Sequence, residues 1–231
     1  MRDYEHIFFD LDRTIWDFET NSNETLYELA DKYNLADKGI CNTAEFIAIY
    51  IQINNRMWEE YGKGLINKKT LRNNRFYEAL CKYGVDDKKL SVKFANYYIS
   101  YSSLKTNLLP HALEVLKYLK NKYPLHIITN GFEEVQYKKI KNCGLEIYFD
   151  EIITSERTGY NKPDIRMFEY SLNLVKAQPN RSLMIGDNLA ADIIGARNAG
   201  IQQVYFNPNE CKHAENITFE IKKLNELISI L

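Results

Sequence analysis

The chain has 231 residues and a formal net charge of −1, with 45% hydrophobic and 26% charged residues. This size and composition are sufficient for one large α/β domain, or for such a domain carrying a smaller insert. The absence of a basic excess argues against binding of a nucleic-acid polymer, and no apolar stretch approaches the roughly 18 residues of a membrane-spanning helix.

The cysteines are scattered along the chain and form no C-x-x-C pair; they are Cys41, Cys81, Cys143 and Cys211. This distribution argues against a zinc site or a disulfide framework and is typical of a reducing cytosol. We expect the four side chains to be buried as small hydrophobic groups. The charged residues before the first apolar run are unlike a secretory signal, so we expect a cytoplasmic protein.

The first predicted element is a short buried strand at residues 7–11, which is followed by a change of pattern. From about Glu19 to Ser102 helical spacing of apolar residues dominates, interrupted by glycine-containing loops. This segment predicts a bundle of about four helices, inserted after the first strand.

After Pro110 the predicted elements alternate between helices and strands. We expect strands at residues 125–129, 149–154, 182–186 and 203–206, with a last strand and helix within 216–231. Helices are expected from Pro110, at 133–142, from Pro163, and before Gly200. This alternation predicts an α/β fold with a doubly wound parallel, Rossmann-like sheet.

Polar residues recur where the apolar strands stop. They are Asp10 and Asp12 at the end of the first strand, Thr129, Asn130 and Gly131 at the end of the second, and Asp187 with Asp192 after a later one. In open α/β sheets ligands bind beyond the carboxyl ends of the strands. Two like charges about 4 Å apart repel by roughly 4 kcal/mol at an effective dielectric near 20, so gathered carboxylates need protons or a cation. All-oxygen ligands in an open crevice favour Mg²⁺.

Phosphoryl transfer would use such a site, because it needs an in-line nucleophile, cations around the phosphoryl oxygens and a proton donor. A carboxylate can be that nucleophile. Lys162 would add a positive charge if its loop folds over the site. Asp10 and Asp12 point to opposite faces of an ideal strand, so the chain must turn sharply at residues 11–12 for both to face one substrate.

Four motifs in this order resemble the haloacid dehalogenase-like hydrolases, specifically their phosphatase branch. They are Asp10-Leu11-Asp12-Arg13-Thr14, Thr129-Asn130-Gly131, Lys162-Pro163-Asp164, and the run from Gly186 to Asp192, continued to Gly200. The resemblance covers nearly the whole chain. It implies a hydrolase core of residues 1–16 and 103–231, with a mobile helical cap domain of residues 17–102 that closes over substrate.

The resemblance also implies residue roles. Asp10 would be the nucleophile, and Asp12 would be the general acid and then base, with its carbonyl helping to hold Mg²⁺. Thr129 and the Asn130–Gly131 backbone would bind the phosphoryl oxygens, and Lys162 would neutralise charge. Asp187 would bind the metal directly and Asp192 through water, which gives a metal set of Asp10, Asp12, Asp187 and Asp192.

Finer features favour a nucleotide substrate. Residues 14–19 resemble the branch that dephosphorylates pyrimidine nucleoside monophosphates, and Arg13, where the family often has glycine, resembles some nucleotidase members. Trp16 and Phe18 would either stack on a base or anchor the cap by packing. Arg75 would either contact substrate or lie on a solvated helix face.

The leading hypothesis is therefore a Mg²⁺-dependent phosphomonoesterase acting on a small molecule, with a nucleoside 5′-monophosphate as the favoured substrate. Alternatives are a sugar-phosphate phosphatase or phosphomutase on the same scaffold, and a non-catalytic partner-binding module. A 2-haloacid dehalogenase is disfavoured, because such enzymes lack the second acid that Asp12 provides. We expect a monomer or small homo-oligomer.

Overall fold

In a computed structural model that describes residues 4–231, six strands form one sheet in which every neighbouring pair is parallel. The strands are β1 (His6–Phe9), β2 (Leu125–Thr129), β3 (Glu151–Thr154), β4 (Ser182–Gly186), β5 (Gln202–Phe206) and β6 (Phe219–Ile221). Their spatial order is β3-β2-β1-β4-β5-β6.

Ten α-helices accompany the sheet within residues 4–231: α1 (Phe18–Lys32), α2 (Thr43–Gly62), α3 (Lys68–Cys81), α4 (Lys88–Ser102), α5 (Ala112–Lys120), α6 (Glu133–Asn142), α7 (Ser155–Thr158), α8 (Ile165–Val175), α9 (Gly195–Asn198) and α10 (Leu227–Ile230). Short 3₁₀ segments occupy Leu35–Lys38, Glu146–Tyr148, Pro179–Arg181 and Leu224–Glu226, and a π-helical segment occupies Leu189–Ile194.

The chain divides into two units. One contains the residues up to Phe18 together with Thr106–Leu231, and therefore the sheet; the other is Glu19–Lys105. The sequence predicts the corresponding boundaries at residues 16–17 and 102–103.

Strand β1 lies at the middle of the sheet and positions the site. It pairs with β2 on one side and β4 on the other, so that Phe9 lies opposite both Ile127 and Ile185. Alternate residues of β1 enter different cores: Phe8 packs with Met167 of α8, and Phe9 packs in the cluster that holds Leu116 of α5. Helices thus cover both faces, and the carboxyl ends of three neighbouring strands meet at the point where the strand order reverses.

The second unit is built on helices α1–α4. Three of these helices begin at a side chain that accepts a backbone N–H of the first turn: Asn42 from Glu45, Asn67 from Thr70 and Asp87 from Leu90. The helices bury a largely aromatic core. Its members include Phe46, Tyr50, Phe76, Phe94 and Tyr98.

The predicted α/β class with a parallel, doubly wound sheet and a helical insert is confirmed, and several boundaries differ. β1 ends at Phe9, and the chain turns between Leu11 and Trp16. α8 begins at Ile165 rather than at Pro163, since the Asp164 side chain accepts the N–H of Arg166 at 3.0 Å as its cap. The helix expected before Gly200 is a π-helical segment followed by the single turn of α9.

The expectation of buried cysteines is wrong: Cys41, Cys81 and Cys211 are exposed and Cys143 is half-buried, all four as free thiols. Cys143 packs against the core cluster that holds Phe9 and Leu116. None of the helices within residues 4–231 combines the length and the apolar composition that crossing a bilayer requires.

Candidate active site

The chain makes a tight turn directly after β1. Asp10 continues the strand by donating its N–H to the Ile185 carbonyl at 2.9 Å, and Leu11 then accepts the N–H of Trp16 at 2.9 Å. Arg13 donates its own N–H to the Trp16 carbonyl at 2.9 Å. This turn is the one that the sequence requires if the Asp10 and Asp12 side chains are to lie at the same edge of the sheet.

Arg13 occupies a left-handed backbone conformation, with φ of 65°. That conformation costs a residue with a Cβ roughly 1–2 kcal/mol, which explains why glycine suits this position. The Arg13 guanidinium lies 4.1 Å from the centroid of the Phe18 ring, and this cation–π contact offsets part of the cost.

Lys162 is the central cation of the site and is 3% exposed. Its Nζ lies 2.6 Å from Asp10 Oδ1 and 2.7 Å from Asp192 Oδ1, and it donates to the Ile128 carbonyl at 2.7 Å. Burial by itself lowers the pKa of this ammonium, but the charges of the two carboxylates and hydrogen bonds to them raise the pKa above its ordinary value. Lys162 is therefore charged at neutral pH.

Three carboxyl groups converge beside this lysine. One oxygen from each of Asp10, Asp187 and Asp192 lies within 4.8 Å of the others. Burial, moderated by Lys162, raises the pKa of Asp10 to about 7; burial and the charges of Asp10 and Asp192 raise that of Asp187 to about 8. These raised values mean that the cluster has too little positive charge, a deficit that a divalent cation would remove. Hard carboxylate oxygens in a half-open site fit Mg²⁺.

The loop after β4 holds Asp192 rigidly, and the side chain is 1% exposed. Asp192 Oδ2 accepts the N–H of Asn188 at 3.0 Å, and Asn188 in turn caps the following helical segment. A Cβ at Gly186 would lie 2.3 Å from Asp192 Oδ2. Only glycine at position 186 lets the Asp192 carboxyl group approach the backbone this closely.

Thr129, at the end of β2, and Asn130, which follows it, have different functions in the site. Thr129 Oγ1 accepts the N–H of Gly131 at 3.1 Å and an N–H of Gln136 at 2.7 Å. The Asn130 side chain instead holds the loop of Lys162: its Oδ1 accepts the Lys162 N–H at 2.8 Å and its Nδ2 donates to the Lys162 carbonyl at 2.9 Å. The side chain of Asn130 therefore positions the lysine.

The Asp12 carboxyl group lies apart from the three clustered carboxyl groups and is held by α6. Lys139 Nζ lies 2.6 Å from Asp12 Oδ1, and Gln136 Nε2 donates to Asp12 Oδ2 at 3.0 Å. Neither Gln136 nor Lys139 is identified by the sequence motifs. Their spacing of three residues on the helix that directly follows Thr129–Gly131 is the signal that could have found them.

Trp16 and Phe18 lie close together, with ring centroids 6.2 Å apart, but differ in exposure. Trp16 is 1% exposed within the core, and the Nζ of Lys139 lies 4.0 Å from its ring centroid. This position fits the packing alternative for Trp16 rather than stacking on a base. Phe18 is half-buried and contacts Arg13.

Arg75 lies on α3 in the second unit and is 4% exposed, so it does not lie on a solvated helix face. Its Nη1 donates to Asn54 Oδ1 at 2.8 Å, and its guanidinium faces the rings of Tyr50, Phe76 and Tyr98. The Nε of Arg75 and the hydroxyl of Tyr50 are buried without a hydrogen-bond partner.

The family model of haloacid dehalogenase-like hydrolases matches residues 4–200, and the chain belongs to this family. It is similar to the HAD-hydrolase YfnB of Bacillus subtilis, with 32% identity across 100% of the chain and 97% of that protein. A crystal structure of YfnB bound to magnesium has a TM-score of 0.90 to this chain, at 31% identity and covering 98% of each chain.

A second relative is the pyrimidine 5′-nucleotidase YjjG of Escherichia coli, 31% identical across 99% of the chain and 98% of that protein. A third is the glyceraldehyde 3-phosphate phosphatase of Methanothermobacter thermautotrophicus, 30% identical across 96% of the chain and 95% of that protein. The predicted family is confirmed, the chain is a hydrolase, and its relatives support a phosphoric monoester hydrolase.

Proposed function

We propose that this chain is a Mg²⁺-dependent phosphomonoesterase that transfers the phosphoryl group of a small metabolite to Asp10 and then to water. The observation that carries the proposal is the surroundings of Asp10. The residue Asp10 is 8% exposed. Its carboxyl group contacts the Lys162 ammonium at 2.6 Å and lies beside two further carboxyl groups. A carboxylate between a fixed cation and a cation-binding cluster is suited to attack an anionic phosphorus centre.

In the proposed reaction an Asp10 oxygen attacks phosphorus, and the bond from phosphorus to the ester oxygen breaks. Asp12 gives a proton to that leaving oxygen and afterwards takes one from the water that hydrolyses the aspartyl-phosphate. Lys162 neutralises charge on Asp10 and the phosphoryl group, while the Thr129 hydroxyl and the Asn130–Gly131 backbone bind phosphoryl oxygens.

The metal would be held by Asp10, the Asp12 carbonyl and Asp187, with Asp192 acting through water. When bound, Mg²⁺ supplies charge stabilisation to the phosphoryl oxygens. The residues favour this ion because Asp10 and Asp187 have raised pKa values in its absence, to about 7 and about 8. The position of Asp192 between Lys162 and the Asn188 N–H supports an indirect role.

A pyrimidine nucleoside 5′-monophosphate is the proposed substrate. Support comes from two relatives named pyrimidine 5′-nucleotidase, from Escherichia coli and from Streptococcus pneumoniae, which are 31% and 29% identical to this chain. Phe18 and Arg75 stay predicted substrate contacts. A sugar-phosphate phosphatase is the second candidate, because a relative of 30% identity is named for glyceraldehyde 3-phosphate.

Release of inorganic phosphate tests both the proposed phosphatase activity and the proposed preference for pyrimidine nucleotides. UMP, dTMP, phosphoglycolate and sugar phosphates are compared with and without EDTA, using the wild type and Asp10→Asn. We expect Mg²⁺-dependent turnover that is fastest on the pyrimidine nucleotides and is lost in Asp10→Asn. Equal rates on every substrate would contradict the nucleotidase assignment, and full activity of Asp10→Asn would contradict the nucleophile.

Other properties stay predictions. A small-molecule substrate is expected rather than a nucleic-acid polymer or a membrane, in a cytoplasmic protein that is a monomer or a small homo-oligomer.

A further inference from the structure

One turn of α6 holds both oxygens of the Asp12 carboxyl group. Lys139 Nζ lies 2.6 Å from Oδ1, and Gln136 Nε2 lies 3.0 Å from Oδ2. Gln136 is 0% exposed and Lys139 is 5% exposed. Burying a lysine and an amide costs free energy unless they are paired. These contacts pair the Lys139 ammonium and the Gln136 amide nitrogen, whereas Gln136 Oε1 is buried without a partner.

The amide nitrogen of Gln136 makes a second hydrogen bond. Its Nε2 also donates to Thr129 Oγ1 at 2.7 Å, so one amide nitrogen links the Asp12 carboxyl group to the Thr129 hydroxyl. A Cβ at position 131 would lie 2.4 Å from Cδ and from Nε2 of Gln136. The glycine at 131 thus creates the space in which the amide lies, which gives Gly131 a function besides its proposed binding of a phosphoryl oxygen.

The ammonium of Lys139 is fixed by an aromatic ring. Its Nζ lies 4.0 Å from the centroid of Trp16, whose side chain is 1% exposed and cannot move aside easily. A cation over the face of a tryptophan is attracted by the ring quadrupole. Trp16 therefore limits the positions that the ammonium can take and, through it, those of the Asp12 carboxyl group.

We propose that Gln136 and Lys139 are positioning residues that hold the Asp12 carboxyl group where it serves first as proton donor and then as proton acceptor. This inference rests on the proposed function. In the first step an Asp10 oxygen bonds to phosphorus as the phosphorus–ester bond breaks, and Asp12 gives its proton to the leaving oxygen. In the second step Asp12 takes a proton from water as the water oxygen bonds to phosphorus and the phosphorus–Asp10 bond breaks. Gln136 and Lys139 form and break no bond.

Comparing substrates with different leaving groups shows whether Gln136 and Lys139 position Asp12 or only stabilise the fold. An alkoxide, such as the 5′-oxygen of UMP, needs a proton as it leaves, whereas p-nitrophenolate leaves without one. A misplaced Asp12 carboxyl group therefore slows phosphorylation of Asp10 by UMP, but leaves phosphorylation by p-nitrophenyl phosphate fast and only slows the later hydrolysis.

The test is rapid-mixing kinetics of Lys139→Met with both substrates in the presence of Mg²⁺. We expect kcat for UMP to fall about 10-fold to 100-fold with little change in KM. With p-nitrophenyl phosphate we expect a burst of p-nitrophenolate close to one equivalent per enzyme, followed by slow turnover. Lys139→Arg should restore part of the UMP activity, because it keeps the cation.

Lys138→Met is the matched control, since Lys138 is exposed on the same helix, and it should behave as wild type. If Lys139→Met does not fold, Gln136→Leu, which changes no charge, should show the same burst and the same loss on UMP. An equal loss on both substrates without a burst, or no loss at all, would overturn the inference. A wild type that releases no phosphate would instead contradict the proposed function.

Discussion

Replacing Lys162 by methionine should destabilise the protein far more than replacing an exposed lysine. Lys162 Nζ lies 2.6 Å from Asp10 and 2.7 Å from Asp192, and its side chain is 2% exposed. At an effective dielectric of about 20, each attraction at this distance amounts to about 6 kcal/mol before the cost of removing the charges from water. Breaking a buried pair while leaving the partner carboxylates in place costs about 3–5 kcal/mol. We expect a loss of this size at pH 8 in EDTA.

The loss of stability in Lys162→Met should be larger at pH 8 than at pH 6. Burial already raises the pKa of Asp10 to about 7, and removing the lysine raises the pKa further. At pH 8 the wild type has an ionised Asp10 that Lys162 stabilises, whereas at pH 6 Asp10 is protonated in both proteins. Because one pH unit corresponds to about 1.4 kcal/mol for one proton, the loss at pH 6 should be smaller by about 1–2 kcal/mol.

Urea denaturation followed by circular dichroism measures both values. Lys120→Met is the matched control, because Lys120 forms an ion pair with Asp150 in which the two side chains are 31% and 45% exposed. An exposed pair of this kind contributes about 0–1 kcal/mol. If Lys162→Met and Lys120→Met lose equal stability at pH 8, the electrostatic account of the site is wrong.

Three further predictions concern the carboxyl groups. Gly186→Ala would place a Cβ 2.3 Å from Asp192 Oδ2 and should lower the free energy of unfolding, measured by urea denaturation, by about 1–3 kcal/mol. Gly62→Ala is the control and should cost little, because nothing lies within 4 Å of a Cβ there. Equal effects of the two substitutions would contradict the steric reasoning. Mg²⁺ affinity should rise at least about tenfold from pH 6 to pH 8, because Asp10 and Asp187, with pKa values of about 7 and about 8, must release protons when the ion binds. Titration calorimetry in two buffers of different ionisation enthalpy counts the released protons. If no protons are released, the prediction is wrong. In EDTA these two groups bind protons more tightly in the folded state than in the unfolded state, so they reduce the free energy of unfolding as pH rises from about 4 through 8. In Asp10→Asn the free energy of unfolding, measured by urea denaturation, should depend less on pH. An unchanged pH dependence would rule out Asp10 as one of the two groups.

The sequence predicts most of the fold because strands and helices alternate with clear apolar periods. Strands 125–129 and 182–186 agree with β2 and β4 at both ends, since apolar residues dominate each run and a polar residue follows it. The sequence does not determine the helix type of segment 189–200. Its apolar spacing is compatible with an α-helix, but Asn188 accepts two backbone N–H groups at its start and the segment begins as a π-helix.

The sequence predicts those site residues whose side-chain type by itself indicates a chemical function. Asp10, Asp187 and Asp192 follow strands whose carboxyl ends meet, so the sequence alone predicts that they converge, as they do in the structure. The partners of Asp12 could not be foreseen in the same way. Gln136 and Lys139 lie on a helix whose exposed side is also rich in polar residues, and only packing against the sheet decides which polar side chains point inward.

The position of β1 has a consequence for how the chain folds. This strand is synthesised well before β2 and β4, yet it lies between them in the sheet, where Ile7 pairs with Leu125 and His6 with Ser182. The apolar run of β1 therefore has no partner until the ribosome has produced β2, and it is enclosed only after β4. At about 5–20 residues per second this interval is on the order of 10 s. During that time the run that precedes the nucleophile is exposed to aggregation, and a chaperone that binds short apolar segments would protect it.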